Sequence, residues 1–293
     1  MKTPYKNTPL IGAGFSAINA AMLASAGVFT KYLTETFDPV EIIFFRNLIG
    51  LPMLVLGYMV LRQHLTLKTN RPWHQIIRAT IGTIAVVTGV WAISLLNLAE
   101  VTALFFTSPL FVIILSAIFL KEKIGIFRII AVLIGFSGVL IIANPSGDIP
   151  AIGLIAGLGF AFGAALVDIC LRWLGNTEKS STTTFYFMVL GLCALSFYLP
   201  FAENIQNIKF SWWLIVLLIG LGLTNVFALL AKSESFRHAE ASIIAPVTYT
   251  MIIWSILFDY LIWNHTPNPA TLIGATIIIT SNLVILYREH KKL

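Results

Sequence analysis

Arg46 stands apart from the other charges in this chain. It lies in VEIIFFRNLIG, seven residues past Pro39, roughly 10 Å into an apolar segment at the helical rise. A guanidinium is built to hold a carboxylate or phosphate by a two-pronged fork, and an ionisable group at such depth marks a binding site by default. The competing reading is a side chain that snorkels to the nearer surface. Glu41 is the one acid in the same segment, five residues away and poorly spaced for an i,i+4 pair. A guanidinium buried without a partner costs several kcal/mol, so an acid from another segment or an anionic ligand should meet it. The other polar groups set in apolar runs are Asn19, Trp91, Thr107, Tyr186, Asn225 and Tyr249. Asn19 either bonds one helix to another or touches a ligand. Thr80, Thr83, Trp91 and Ser94 share one broad helical face with Thr88 at its edge, which makes either an interhelical seam or a cavity wall. Arg46 and these six residues are the candidate binding set.

Other chemistry finds little support. His64, His74, His238, His265 and His290 fall in loops or at segment ends without ligand spacing, and Cys170 and Cys193 lie within apolar segments. Neither a metal site nor a stabilising disulfide is expected from them. Gly157-Leu158-Gly159 and Gly220-Leu221-Gly222 lack the strand–turn–helix context of a nucleotide fingerprint. Together with the Gly153/Gly157 and Gly159/Gly163 pairs, they read as places where helices approach closely. Glu100 follows Asn97 at capping-box spacing, and Glu240 is suited to a helix N-terminus. Asp168 and Arg172 form an ordinary i,i+4 pair, or Asp168 carries a proton. No paired acids, nucleophile–base set or cofactor motif is present, so neither an enzyme nor a bound cofactor is expected.

The elements that must position these residues are membrane helices. The chain is 58% hydrophobic and 11% charged, against about 25% charged in soluble proteins, and its mean hydropathy is +0.88. Ten apolar segments follow one another: 11–33, 40–61, 73–96, 101–120, 124–143, 152–173, 182–201, 212–231, 241–263 and 270–287. The fourth, AEVTALFFTSPLFVIILSAIFLKEK, runs without charge from Val101 to Leu120, roughly 30 Å of helix and the thickness of bilayer hydrocarbon. Pro109 in it would free the carbonyl of Phe105, and Pro246 in the ninth that of Ser242. Both prolines should therefore face the protein interior, where a hydroxyl or polar side chain can meet those groups. The first segment exceeds a signal-peptide core and is read as a retained helix. The fifth, almost bare of polar groups, reads as an outer helix.

The two halves of the chain repeat. Ala99-Glu100 matches Ala239-Glu240, Trp73 matches Trp213, Gly82 matches Gly222 and Gly50 matches Gly191, all at a separation of about 140 residues. Residues 1–147 and 148–293 are therefore read as two five-helix repeats, and an odd helix number per repeat requires the second to lie inverted. The fold class expected is an all-α integral membrane protein of ten transmembrane helices. Of the 19 basic residues, Lys31, Arg46 and Lys209 alone fall towards one side. The positive-inside rule places the rest, and both termini, in the cytoplasm. The net charge of +6 is thus a topology signal, and no nucleic-acid partner is expected.

With FFRN at 44–47, TSPLF at 107–111, FLKEK at 119–123 and APVTY at 245–249, the chain resembles the EamA-type transporters of the drug/metabolite transporter superfamily over nearly its whole length. KYL in the first segment and the Asp of LVDIC also look like its bacterial S-adenosylmethionine uptake carriers. The family usually carries Gly-Glu before the proline that follows the ninth segment, where this chain has Asn264-His265-Thr266-Pro267. The resemblance implies a central cavity built from segments 1–4 and 6–9, with segments 5 and 10 peripheral. It also implies alternating access for a small organic metabolite such as an amino acid or S-adenosylmethionine, in the inner membrane, as a monomer or weak homodimer. A lipid scramblase or flippase with a polar groove open to the bilayer, or another non-carrier membrane protein, is the alternative.

Overall fold

The computed structural model describes residues 8–60, 68–119, 126–143, 150–174, 178, 180–202, 211–239, 244 and 247–290. Its helices are α1 (Pro9–Leu33), α2 (Pro39–Val60), α3 (Pro72–Leu95), α4 (Leu98–Phe105), α5 (Ser108–Phe119), α6 (Ile126–Ala143), α7 (Ala151–Leu174), α8 (Ser180–Ser196), α9 (Trp212–His238), α10 (Met251–Trp263) and α11 (Pro269–His290). No strand occurs among the described residues. Among the described residues, six stretches are long and apolar enough to cross a membrane, with α4 and α5 together as one of them, and four shorter apolar helices accompany them. Proline at the first position of α1 and α3 supplies the preset φ of a helix start where no N–H is needed.

Helix directions follow from contacts at the two ends. The start of α1 meets the end of α9, where Thr8 N donates to His238 O at 3.2 Å. At the opposite end, Lys31 of α1 reaches Leu96 and Asn97, between α3 and α4. The main packing partners are α1 with α9, α3 with α7, and α6 with α11, while α2 packs on both α8 and α9. Small residues set these distances. A methyl on Gly153 would stand 2.6 Å from Leu96 Cδ2, one on Gly157 2.6 Å from Leu104 Cδ1, and one on Gly163 2.5 Å from Ala85 Cβ. Gly159 has more room, with its nearest neighbour, Thr88, at 4.0 Å. The outer surface is apolar: Leu133, Leu140, Ile155, Phe227 and Ile253 are all exposed, as lipid-facing side chains are.

The fourth segment departs from the expected continuous helix. It breaks between α4 and α5 at Phe106-Thr107, where Thr107 N turns back to Leu104 O at 3.0 Å. Pro109 is exposed rather than turned inward. The physical reason is its position in the first turn of α5, where a missing N–H orphans nothing. Two carbonyls that flank the break are met from inside. The Thr107 hydroxyl donates to Leu104 O at 2.7 Å, and the Asn282 amide of α11 donates to Phe106 O at 2.8 Å. Pro246, Ser242 and Glu240 lie outside the described residues. The seventh segment is helical only to Ser196, then turns into a 3₁₀ piece at Leu199–Phe201. The eighth runs on to His238, so Lys232 stands on a helix and not in a loop.

The largest buried cluster gathers Leu96, Val101, Leu104, Phe106, Ile142, Ile252 and Ile278 around this break. Asn282→Leu keeps the volume but leaves the Phe106 carbonyl without its donor. It should lower stability by about 1 kcal/mol, read as a lower midpoint of thermal unfolding in detergent. An unchanged midpoint would show that the break does not depend on that bond.

Candidate functional site

Two adjoining cavities run through the centre of the bundle and share Leu23, Arg46 and Asn225. The first, about 160 Å³, is apolar: Ile42, Val86, Val90, Phe105 and Phe160 form much of its wall, with hydroxyls from Thr30, Thr102 and Ser255. The second, about 200 Å³, lies towards the Thr8–His238 end and is basic, lined by Asn19, Arg46, Arg78, Phe187 and Lys232. Neither lining, among the described residues, includes an aspartate or glutamate.

Arg46 is oriented from its own helix. Its Nη2 and Nε donate to Asn47 Oδ1 at 3.1 and 3.4 Å, and its guanidinium carbon stands 6.0 Å from the centroid of the Phe187 ring. Arg78 approaches the same ring at 4.6 Å and donates from Nη1 to Thr183 O at 3.1 Å. Two cations therefore share one aromatic ring, an attraction that keeps both side chains at the cavity. Phe187 is held in turn by Gly82, where a methyl would stand 2.9 Å from the ring. Arg78 Nε, Asn47 Nδ2 and Thr83 Oγ1 are buried without a hydrogen-bond partner. Glu41, the acid on the same helix as Arg46, is spent elsewhere, accepting from Asp38 N at 2.8 Å.

The structure brings together three of the seven residues singled out by sequence. Arg46 and Asn225 line both cavities and Asn19 the second. The Asn19 amide donates to Ala228 O at 2.7 Å and that of Asn225 to Leu221 O at 3.0 Å. The other four line neither. Trp91 is 45% exposed on the outside of α3, in company with exposed Thr80 and Ser94. Thr107 is fully buried at the α4–α5 break. Tyr186 packs edge-on to Phe185 at 6.1 Å, and Tyr249 edge-on to Phe106 at 4.9 Å. By the positive-inside rule Arg78 and Lys232 read as cytoplasmic topology charges, which hides them as cavity residues. Arg78 lies six residues past Pro72, roughly 9 Å along the helix, so the depth criterion applied to Arg46 would have found it.

A polar closure caps the first cavity at the end opposite Thr8. Asp259 of α10 accepts from Ala99 N at 2.8 Å and Leu98 N at 3.2 Å, the first free amides of α4. Lys31 Nζ stands 3.9 Å from Asp259 and 4.7 Å from the centroid of the Trp263 ring. Glu100 accepts from Asn97 N at 3.0 Å, as the capping-box spacing required. Asn264 ends α10 in the left-handed region with φ 54°, a conformation that glycine adopts most readily and asparagine tolerates. The next residue, His265, then bonds Asn97 Oδ1 at 2.9 Å. Three helices are thereby tied together by one carboxylate and its neighbours.

Gly191 of α8 makes room for the group that orients Arg46: a methyl there would stand 3.0 Å from both Asn47 Nδ2 and Thr83 Oγ1. Gly191→Ala should displace the Asn47 amide and loosen Arg46. The expected result is an apparent affinity for a ligand of this cavity about tenfold weaker, the worth of a hydrogen bond to a charge, at unchanged membrane abundance. Normal affinity would show that Asn47 does not position the guanidinium.

Comparison with known proteins is consistent with this architecture. The chain is 27% identical to an S-adenosylmethionine uptake transporter of Rickettsia bellii, over 96% of this chain and 95% of that protein. It is 29% identical to a riboflavin transporter of Vibrio cholerae over 75% and 73% of the two chains. It is 27% identical to a pseudopaline exporter of Pseudomonas aeruginosa over 92% and 91%. A solved crystal structure shares the fold with a TM-score of 0.65, at 15% identity, over 96% of this chain and 99% of that one. The EamA-like transporter family matches twice, at residues 10–144 and 151–287. With both halves matched, this chain belongs to the EamA-like transporter family.

Proposed function

We propose that the protein is a secondary transporter that moves a small organic metabolite by alternating access through the paired central cavities. The observation that carries this reading is the placement of Arg46 between an apolar and a basic cavity in the middle of a membrane bundle. Alternating access is supported by the asymmetry of the two ends, since the Lys31–Asp259 closure caps one end while exposed Lys232 lines the cavity towards the other. The substrate is held by Arg46, Asn19 and Asn225 in this reading, with Arg78 added to the set. Trp91, Thr107, Tyr186 and Tyr249 act in packing. S-adenosylmethionine, riboflavin and pseudopaline are handled by relatives, so the family plan spans several chemistries and the pocket residues set the choice.

The two repeats, 1–147 and 148–293, are proposed to lie inverted about an axis in the membrane plane. Helix direction supports this. As the third helix of its repeat, α3 starts at the Thr8 end of the bundle, whereas its counterpart α9 finishes there. The paired tryptophans Trp73 and Trp213, each exposed at the start of its helix, accordingly stand at opposite ends. Arg46 and Phe187 are repeat counterparts, so their contact joins equivalent positions. The location that fits this arrangement is the inner membrane with both termini cytoplasmic.

Orientation is checked by single cysteines introduced at Ser146, Asn207 and Asn176. Ser146 and Asn207 should react with an impermeant thiol reagent in sealed right-side-out cells and Asn176 should not; labelling of Asn176 reverses the assignment. Transport is checked in liposomes bearing the purified protein, with uptake measured across a metabolite panel. Arg46→Lys keeps the charge but loses the fork and should weaken uptake of the accepted substrate several-fold, with Arg46→Gln about tenfold or more below the unmodified protein. Near-normal uptake in both variants at equal abundance would remove Arg46 from the site.

A further inference from the structure

The cavity pair differs in chemistry along its length, and that difference specifies a ligand. At one end, Arg46 and Arg78 both approach Phe187, with Lys232 on the same wall and, among the described residues, no acid in the lining. Arg46 spends two of its donors on Asn47 and Arg78 has a buried Nε with no acceptor. A guanidinium carries five N–H groups, so each arginine keeps donors in hand. Asp168 of α7 attracts Arg78 electrostatically without lining either cavity. Among the described residues, the wall thus offers no acid to complete the arginines. At the other end the apolar cavity measures about 160 Å³, and a dry apolar cavity of about 150 Å³ takes one benzene ring.

Building on the transporter reading, we propose that the site takes a small organic acid, its carboxylate or phosphate held between Arg46 and Arg78 and a body of one ring's size seated in the apolar cavity. Arg46, which lines both cavities, is the junction between head and body. The hydroxyls of Thr102 and Ser255 bond each other at 2.8 Å, which leaves the far end of the apolar cavity weakly polar at most. A cationic head is disfavoured by three like charges in a lining that, among the described residues, holds no acid, and a neutral one leaves the arginine donors unmet.

The test uses the purified full chain in detergent and thermal unfolding with four probes: 3-phenylpropanoate, 3-phenylpropanamide, 3-phenylpropylamine and propanoate. The acid with the ring should raise Tm in a concentration-dependent way, with the amide and the amine without effect and propanoate about tenfold weaker or more. Arg46→Gln and Arg78→Gln should each weaken the acid about tenfold, with the Lys variants in between. Because the charge series is run on the unmodified protein, the test survives a variant that does not fold. An amine or amide as effective as the acid, or an acid effect unchanged in both glutamine variants, overturns the assignment. If no probe acts while protein-bearing liposomes still take up other metabolites, the organic-acid assignment falls and the transporter reading stands. If those liposomes carry nothing across the panel, the transporter reading falls as well.

Discussion

The constraint on which this structure depends is that hydrocarbon cannot hydrogen-bond the backbone. Helices satisfy their own amides and carbonyls, so a chain that must cross lipid and also enclose a cavity can break a helix only where protein supplies the missing partners. The fourth segment shows the solution. It breaks at Phe106-Thr107 against a large core cluster, and protein groups meet the backbone around it: Leu104 O is met by Thr107, Phe106 O by Asn282, and the amides at the head of α4 by Asp259. Two of these partners, Asp259 and Asn282, come from α10 and α11 in the other half of the chain. The break therefore also ties the two halves together.

The same rule of compensation governs charge. Lys31 and Asp259 neutralise each other at the closed end, with Trp263 covering the lysine. The opposite cavity has no acid in its lining among the described residues. Asn47 and Thr183 supply neutral acceptors, and Phe187 supplies a π-face to two guanidiniums at once. Such partners hold an arginine in place without cancelling its charge, which is the condition for keeping it available to an anion. Gly191 and Gly82 belong to this arrangement as much as the arginines, because their missing side chains leave the space that Asn47 and Phe187 occupy.

By itself the amino-acid sequence determined that this is a membrane bundle and where most of its helices run, because apolar length and composition answer directly to bilayer thickness. Repeated matches such as Trp73/Trp213 and Gly50/Gly191 are the ground for reading two repeats, each half being matched by the family, and FFRN and TSPLF carried the family likeness. The depth of Arg46 in an apolar run also pointed to the cavity, since the cost of burying a guanidinium is a local property. Which other polar residues join it was decided only by the tertiary structure. Trp91 and Arg78 lie on the same helix, yet one faces outward and the other the cavity, and helical periodicity names faces without saying which neighbour covers them. Thr107 reads as a cavity hydroxyl until the break in its segment is seen to consume it. Pro109 likewise reads as a mid-helix defect until it proves to begin a helix, where its missing N–H orphans nothing. In each case the deciding partner, whether Phe187, Leu104 or Asn282, is chosen by packing between helices and not by spacing along one.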